Sequence, residues 1–140
     1  MKISFWMISG LFVSILIMDV TTVWATRNKI GVALDMALDA AMVGGLLEYD
    51  AKGGKSIIDE SKGYALAVGF LKNNLRLNDQ LENDLLKNSK FIATIVQDGN
   101  KPRGKVLFST VIKAMTPKLF GMEGIPVVIT KTRYHLSNYK

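Results

Sequence analysis

The sequence predicts an α+β fold in which a long N-terminal helix packs on a small three-stranded antiparallel sheet, with one or two further helices. Three observations predict it. The first part of the chain has helical periodicity without proline, residues 91–134 hold three segments rich in β-branched residues, and turn-forming residues separate those segments. The length of 140 residues allows one folded unit of modest size behind an apolar N-terminus.

The N-terminal run Ile3–Ala25 is almost wholly apolar, and Asp19 is its only charged residue. A helix of this length spans about 34 Å, which is enough to cross a hydrocarbon core of about 30 Å. Trp6 and Trp24 stand near its two ends, as interfacial anchors do. We therefore predict a transmembrane anchor at residues 1–25. The alternative is a signal peptide that is cleaved near Ala25, which would release a secreted domain.

The orientation of this anchor is weakly specified, because bases flank both ends of the run. Lys2 and the amino group on the very short N-terminal side favour a cytoplasmic N-terminus. The expected localisation is the cytoplasmic membrane, single-pass, with residues 26–140 forming an extracytoplasmic α+β domain. A cytoplasmic domain with the opposite topology stays open.

Asp19 allows two interpretations, because a carboxylate inside a bilayer is costly. It is either tolerated near the interface, with hydrogen bonds from Thr21, Thr22 or a water, or it pairs with a base or amino terminus of a neighbouring subunit. Small residues nearby offer a face on which membrane helices can pack. The predicted helix-assembly site consists of Asp19, Ser9, Gly10 and Ser14.

The helical pattern continues beyond Ala25, and an apolar stripe through Ile30, Leu34 and Leu38 predicts that the same helix extends to about residue 47. Asp35 and Asp39 are four residues apart and share a helix face, so we expect them to pair with bases on other elements. A loop at 52–54 follows.

Two further helices are predicted. Residues 59–61 (Asp-Glu-Ser) start the second, because acids favour the first turn of a helix. Asn78 and Asp79 are candidate caps for a short third helix over residues 80–88.

Strand patterns then take over. Residues 91–97 and 105–114 predict a β-hairpin with a long basic loop at 98–104. Residues 116–121 predict one helical turn, with Pro117 near its start. Residues 125–134 predict a third strand, which Pro126 places at a sheet edge.

The positive charge is concentrated in the C-terminal half of the chain. The net charge is +6, and from Lys87 onward ten bases face only two acids. An anionic envelope polymer, lipid surface or acidic partner would fit this half, although a solvated face that only aids solubility explains it equally well. The predicted anionic-surface site is Lys101, Arg103, Lys105, Lys131 and Arg133. Nucleic acid is disfavoured, because the chain carries an anchor and no nucleic-acid motif.

The residue types needed for several kinds of catalysis are scarce. The sequence has no cysteine, its one histidine is His135, and it has no glycine-rich phosphate loop. We therefore predict a non-enzymatic protein with no catalytic residues, metal site or cofactor.

Three stretches resemble the TadE/TadG-like pseudopilins of Flp-type (Tad) type IV pilus systems. They are Ile17-Met18-Asp19-Val20, the extension NKIGVALDMALDAAMVGGL, and KVLFSTVIKAM followed by TPKLFGMEGIPVVITKTRY. The resemblance covers nearly the whole chain through compositional motifs. It implies a pilin-like fold and a minor pilus- or export-associated protein, whose long helix packs with other pilin-like or membrane-helix subunits while its small head faces outward. Only Met1-Lys2 precede the apolar run and no Glu occurs before Glu48, so we expect a retained anchor and not a processed pilus subunit.

Overall fold

The computed structural model describes the backbone of residues 2–50, 55–98 and 101–134, and the side chains of residues 4–46, 57–96 and 102–134. Eight elements follow one another along these residues. They are α1 (Lys2–Gly44), β1 (Leu46–Asp50), β2 (Lys55–Ile58), α2 (Glu60–Leu75), β3 (Leu86–Asp98), β4 (Lys101–Ile112), α3 (Met115–Leu119) and β5 (Ile125–Tyr134).

The predicted α+β class is confirmed. The strands form an antiparallel sheet of order β3-β4-β5, and a separate antiparallel hairpin pairs β1 with β2. Helix α1 packs on β4 and β5, while α2 packs on α1 and β3. Both helices thus cover the same face of the three-stranded sheet, and the core lies between the helices and the sheet.

Helix α1 has two parts with different surroundings. Its N-terminal part is apolar and largely exposed, with Trp6, Ile8 and Met18 each about two-thirds exposed or more. Its C-terminal part supplies core residues that are buried completely, or nearly so: Ile30, Ala33, Leu34, Ala37, Leu38, Ala41 and Met42. Of the described residues, α1 alone forms a helix long and apolar enough to cross a membrane. We call the C-terminal part of α1, from Asp19 on, together with residues 45–134, the head.

Small residues bring α1 and α2 close together. A Cβ atom added to Gly63 of α2 would lie 3.2 Å from the carbonyl oxygen of Ala41 and 2.7 Å from Cδ1 of Ile95 on β3. Gly63 and Ala67 are buried on the face of α2 that meets α1 and the sheet. The alanine-rich stretch of α1 is therefore the surface on which α2 sits.

The sheet runs lengthwise along α1. Gly104, near the start of β4, lies against Leu38 and Met42, whereas Met115, just after β4, reaches Asp19. Strand β5 runs back, so that Lys131 lies beside Asp35. We call the Asp19 end of the head its base, because it lies next to the exposed part of α1.

Three predicted details are wrong. The helix does not continue to residue 47, since α1 ends at Gly44 and Leu46 already pairs with Ile58 in an unpredicted hairpin. Gly45 permits this turn, because a Cβ there would lie 2.6 Å from the Ala41 carbonyl oxygen. The predicted loop at 52–54 lies outside the described residues.

The short helix predicted at 80–88 does not form either. The Asn78 side chain accepts hydrogen bonds from the backbone of Gln80 and Glu82, and Asn83 accepts them from Leu85 and Leu86. Such local bonds satisfy the backbone in turns and compete with a helix. Strand β3 begins at Leu86 as a result.

The third wrong detail is the long loop at 98–104. The β3–β4 pairing extends to Asp98 and Lys101, so only residues 99–100 lie between the paired strands. Strand β5 occupies the predicted residues, and within the described sheet it is an edge strand with Pro126 at its start, as predicted.

Candidate functional site at the base of the head

Asp19 joins the apolar part of α1 to the head. Its exposed fraction is 9%, although the helix residues on either side of it are exposed. One carboxylate oxygen accepts the backbone N–H of Met115 at 2.9 Å, and the other accepts the backbone N–H of Thr116. The carboxylate is therefore held by two amides of the same chain.

These two amides open the short helix α3, whose first-turn N–H groups need acceptors from outside the helix. Ala114 occupies the capping position and makes no side-chain cap. Asp19 takes over the role that a Ser, Asp or Asn at that position would have. Of the partners predicted for Asp19, Thr21 instead donates its hydroxyl hydrogen bond to the carbonyl oxygen of Ile17. Pairing with a neighbouring subunit stays a prediction.

Two open clefts flank this contact. One, of about 280 Å³, is lined by Asp19 and Thr22 of α1 and by residues 113–115 and Lys118. The other, of about 350 Å³, is polar and lies between Glu82, Lys87, Asn88 and Glu123. The exposed residues Lys113 and Lys118 line both clefts, so two lysine ammonium groups lie at the Asp19 end of the head.

A bound carboxylate holds the turn beside the polar cleft. Glu82 accepts the backbone N–H of Asn88 at 2.7 Å and the ammonium of Lys87 at 3.1 Å. These two hydrogen bonds, with the backbone bond the larger effect, lower the pKa of Glu82 despite some opposing desolvation. Glu82 thereby fixes the chain where it enters β3.

The turn that contains α3 exposes a group of apolar side chains. We call this group the base patch, and each of its members is between 55% and 69% exposed: Met115, Leu119, Phe120 and Met122. Positive φ at Gly121 (74°) closes the turn. The sequence indicated a helical turn here but not an unburied apolar surface next to Asp19.

The residues of the predicted helix-assembly site do not share one face of α1. Gly10 and Ser14 are one turn apart, and the Ser14 hydroxyl donates to the Gly10 carbonyl oxygen at 2.9 Å. Asp19 lies nine residues from Gly10, which is two and a half turns and therefore the opposite side of the helix. A Cβ at Gly10 would meet nothing within 4 Å, so this face is open. Ser9, next to Gly10, is partly buried.

The bases of the predicted anionic-surface site lie on two faces of the sheet. Arg103 and Lys105 alternate with the buried residues of β4 and point away from the helices. Lys131 and Arg133 point toward α1, where they form ion pairs with Asp35 (2.8 Å) and Asp39. The side chain of Lys101 lies outside the described residues. The four described bases thus form two pairs on opposite faces of the sheet and not one site. The structure confirms that Asp35 and Asp39 pair with bases of another element.

No protein-family model, curated protein or solved structure matches this chain. Among the described residues no group of three or more His, Asp or Glu side chains is arranged to hold a metal ion. The site is thus a junction at which the apolar helix α1 and the apolar turn meet, and the Asp19 carboxylate caps α3 there.

Proposed function

We propose that the chain is a membrane-anchored, non-enzymatic assembly protein of pseudopilin-like plan. The exposed part of α1 lies in the cytoplasmic membrane and the head stands on its outer side. One observation carries the proposal. A single helix is apolar and largely exposed over residues 4–18, and its C-terminal part contributes buried residues to the core of an α+β head. An exposed apolar run of this kind needs lipid or other helices around it.

The open face at Gly10 and Ser14 supports a role in assembly. In lipid, small residues let helix backbones approach closely, and packing replaces the hydrophobic effect as the driving force. Asp19 contributes less to this proposed assembly, because its two oxygens already accept amides of its own chain. Pairing with a neighbouring subunit would have to displace those bonds.

Anchoring is tested first, by the intact mass and the fractionation of the protein from its native host. We expect an uncleaved chain in the membrane fraction. A chain that begins near Thr26 and is found in the medium would refute the anchor. Outward topology is tested by labelling Asn74→Cys in intact cells with a membrane-impermeant maleimide, since Asn74 is exposed and the chain has no other cysteine.

Assembly is tested by replacing Gly10 and Ser14 with Ile and measuring cross-linked complexes in native membranes. We expect a several-fold loss of complexes because the added side chains separate the helices. Phe12→Ile is the matched control, since Phe12 lies nearly opposite both residues on α1 and is itself exposed. Complexes that survive both substitutions, or that are lost equally in the control, would contradict the proposed interface.

A second candidate is a tethered domain that docks an anionic envelope polymer. It is favoured by the outer face of the sheet, where Lys90, Arg103 and Lys105 stand without an acid among the described residues of that face. Arg103 also stacks over the Tyr134 ring at 5.2 Å. Docking by charge weakens steeply with salt, whereas helix packing does not. Changing Lys101, Arg103 and Lys105 together to Ser should then weaken the binding of the detergent-solubilised protein to isolated envelope polymer at moderate salt, and unchanged binding would eliminate this candidate.

A further inference from the structure

The base patch lies at the level where α1 leaves the head. Hydrogen bonds from Met115 and Thr116 to Asp19 fix α3 beside α1 at this level. The patch is therefore about as far along α1 as Asp19 and cannot be raised away from it without breaking those bonds. This position matters because Asp19 lies inside the apolar run and not at its end.

The length of the run brings this level close to lipid. Residues 3–18 rise by only about 24 Å, which is less than a hydrocarbon core of about 30 Å. Trp24, about two-thirds exposed, stands about 7.5 Å above Asp19, where an interfacial tryptophan is expected. A bilayer that covers the whole exposed apolar run therefore reaches the level of α3.

The chemistry of the turn fits such a boundary. Met115, Leu119, Phe120 and Met122 expose apolar side chains, and Lys113 and Lys118 stand exposed beside them. Apolar side chains with lysines at their edge match the acyl boundary and the anionic headgroups of a lipid leaflet. Lysine can also extend its ammonium toward phosphate while its stem stays in apolar surroundings.

We propose that residues 113–122 form a second membrane contact, in which the base patch inserts into the outer leaflet beside α1 and the two lysines bind anionic phospholipid headgroups. This inference rests on the membrane anchoring of the proposed function. The protein then contacts the bilayer at two places, through the exposed part of α1 and through the turn, and not through α1 alone. The lipid contact also explains why an apolar turn of the head remains unburied by protein.

Depth measurements on the full chain test this proposal, since the absence of cysteine allows single labels. A nitroxide is placed at Phe120→Cys, and in a second variant at Met122→Cys, after reconstitution in vesicles of phosphatidylcholine and phosphatidylglycerol. Accessibility to oxygen and to a water-soluble nickel chelate then reports the depth of each label. We expect the ratio of oxygen to nickel accessibility at both positions to be several-fold higher than at the control Thr130→Cys, which is exposed on the outer face of β5.

A label at Ile8→Cys separates this proposal from the one on which it rests. If Ile8 is in lipid and both turn labels are in water, the second contact is refuted while the anchor stands. If Ile8 itself is in water, the anchor fails and the second contact fails with it. Turn labels that are shielded from both reagents would indicate a protein partner on the patch and would also overturn the lipid assignment.

The lysines are tested in the same vesicles. Lys113→Ser together with Lys118→Ser should reduce the depth of the Phe120 label in phosphatidylglycerol vesicles, and should have little effect in vesicles of phosphatidylcholine alone. An equal effect in both lipids would contradict headgroup binding by these two bases.

Discussion

Asp19 shows how one residue can satisfy demands that arise far apart in the chain. A carboxylate in an apolar helix needs donors, and a short helix that begins after Ala114 needs acceptors. In the fold, the Asp19 carboxylate accepts the Met115 amide, which is 96 residues away in the sequence, and so both groups are satisfied. The sequence shows the lone acid, but nothing in it identifies Met115 and Thr116 as its donors, because backbone amides carry no sequence signal.

Asp19→Asn should therefore loosen α3 while the rest of the head stays folded. In the wild type each carboxylate oxygen accepts one of the two N–H groups. An amide side chain is neutral and has one oxygen, so in the same geometry its NH2 group, which is a donor, faces one of the two backbone donors. We expect faster hydrogen exchange at the Met115 and Thr116 amides and unchanged exchange in the middle of β4. The exposed residue Asp84 provides the control Asp84→Asn. Equal protection of the two amides in wild type and Asp19→Asn would show that the cap is dispensable.

The ion pair of Asp35 with Lys131 should contribute little to stability. Both side chains are about one-third exposed, and partly solvated pairs of this kind contribute about 0.2–1 kcal/mol. A double-mutant cycle with Asp35→Asn and Lys131→Met, followed by urea unfolding, should give a coupling energy in this range. A coupling energy clearly outside this range would contradict the prediction.

Glu82 should make stability depend on pH in the acid range. Its pKa is lowered in the folded state, so its contribution is fully present above the unfolded pKa of about 4.3 and is lost as the pH falls through the folded value. The difference in urea midpoint between wild type and Glu82→Gln should therefore shrink below about pH 4. A difference that stays constant across this range would contradict the role of the Asn88 and Lys87 hydrogen bonds.

At the scale of elements, α1 and β4 pack closely because β4 has a glycine at the point of contact. Gly104 of β4 is buried, and a Cβ atom there would lie 2.6 Å from Cδ1 of Leu38 and 2.7 Å from Sδ of Met42. Gly104→Ala should destabilise the head by about 1 kcal/mol, because the buried ends of the Leu38 and Met42 side chains must move to make room for the Cβ atom. Gly69→Ala is the matched control: a Cβ on this α2 residue meets nothing within 4 Å, and alanine favours a helix. Equal unfolding midpoints for the two variants would contradict close packing of β4 on α1.

The sequence predicts the long, strongly periodic elements of this fold and the short turn α3, and it misses the hairpin of β1 and β2. Helix α1, helix α2 and strand β5 follow from pattern and capping residues. The strands β1 and β2 have five and four residues, which is too few for periodicity to separate a strand from the end of a helix. The failed helix at 80–88 reflects Asn83, whose side chain binds the backbone of Leu85 and Leu86 instead of leaving it to a helix.

The predicted bases do not form one surface, because the register of β4 and β5 places them on opposite faces of the sheet. Arg103 pairs with Tyr134 and not with Arg133, so side chains at odd positions on β4 lie beside those at even positions on β5. A shift of one residue moves a side chain to the other face of a sheet. Strand patterns alone leave this shift open, which is why the sequence could not separate Arg103 and Lys105 from Lys131 and Arg133.

For the whole molecule, the C-terminal part of α1 is an integral part of the head. Its buried residues form one side of the core, so without it the apolar surfaces of α2, β4 and β5 that pack on α1 would be exposed. A fragment of residues 19–140 should fold and show a dispersed NMR spectrum, whereas a fragment of residues 46–140 should not. A cooperatively folded 46–140 fragment would show that the sheet and α2 are self-sufficient.

The continuity of α1 also has a mechanical consequence. No proline interrupts the chain before Pro102, and the helix runs unbroken from Lys2 to Gly44. The helix therefore has no hinge between its exposed N-terminal part, which we call the lower part, and the head. A torque or tension applied to the lower part is not absorbed by a flexible joint. A neighbour that turns the lower part of α1 turns the head by nearly the same angle, and a pull on the head loads the sheet lengthwise against the helix. The molecule is thus built as a rigid lever, and its orientation can be set from either end.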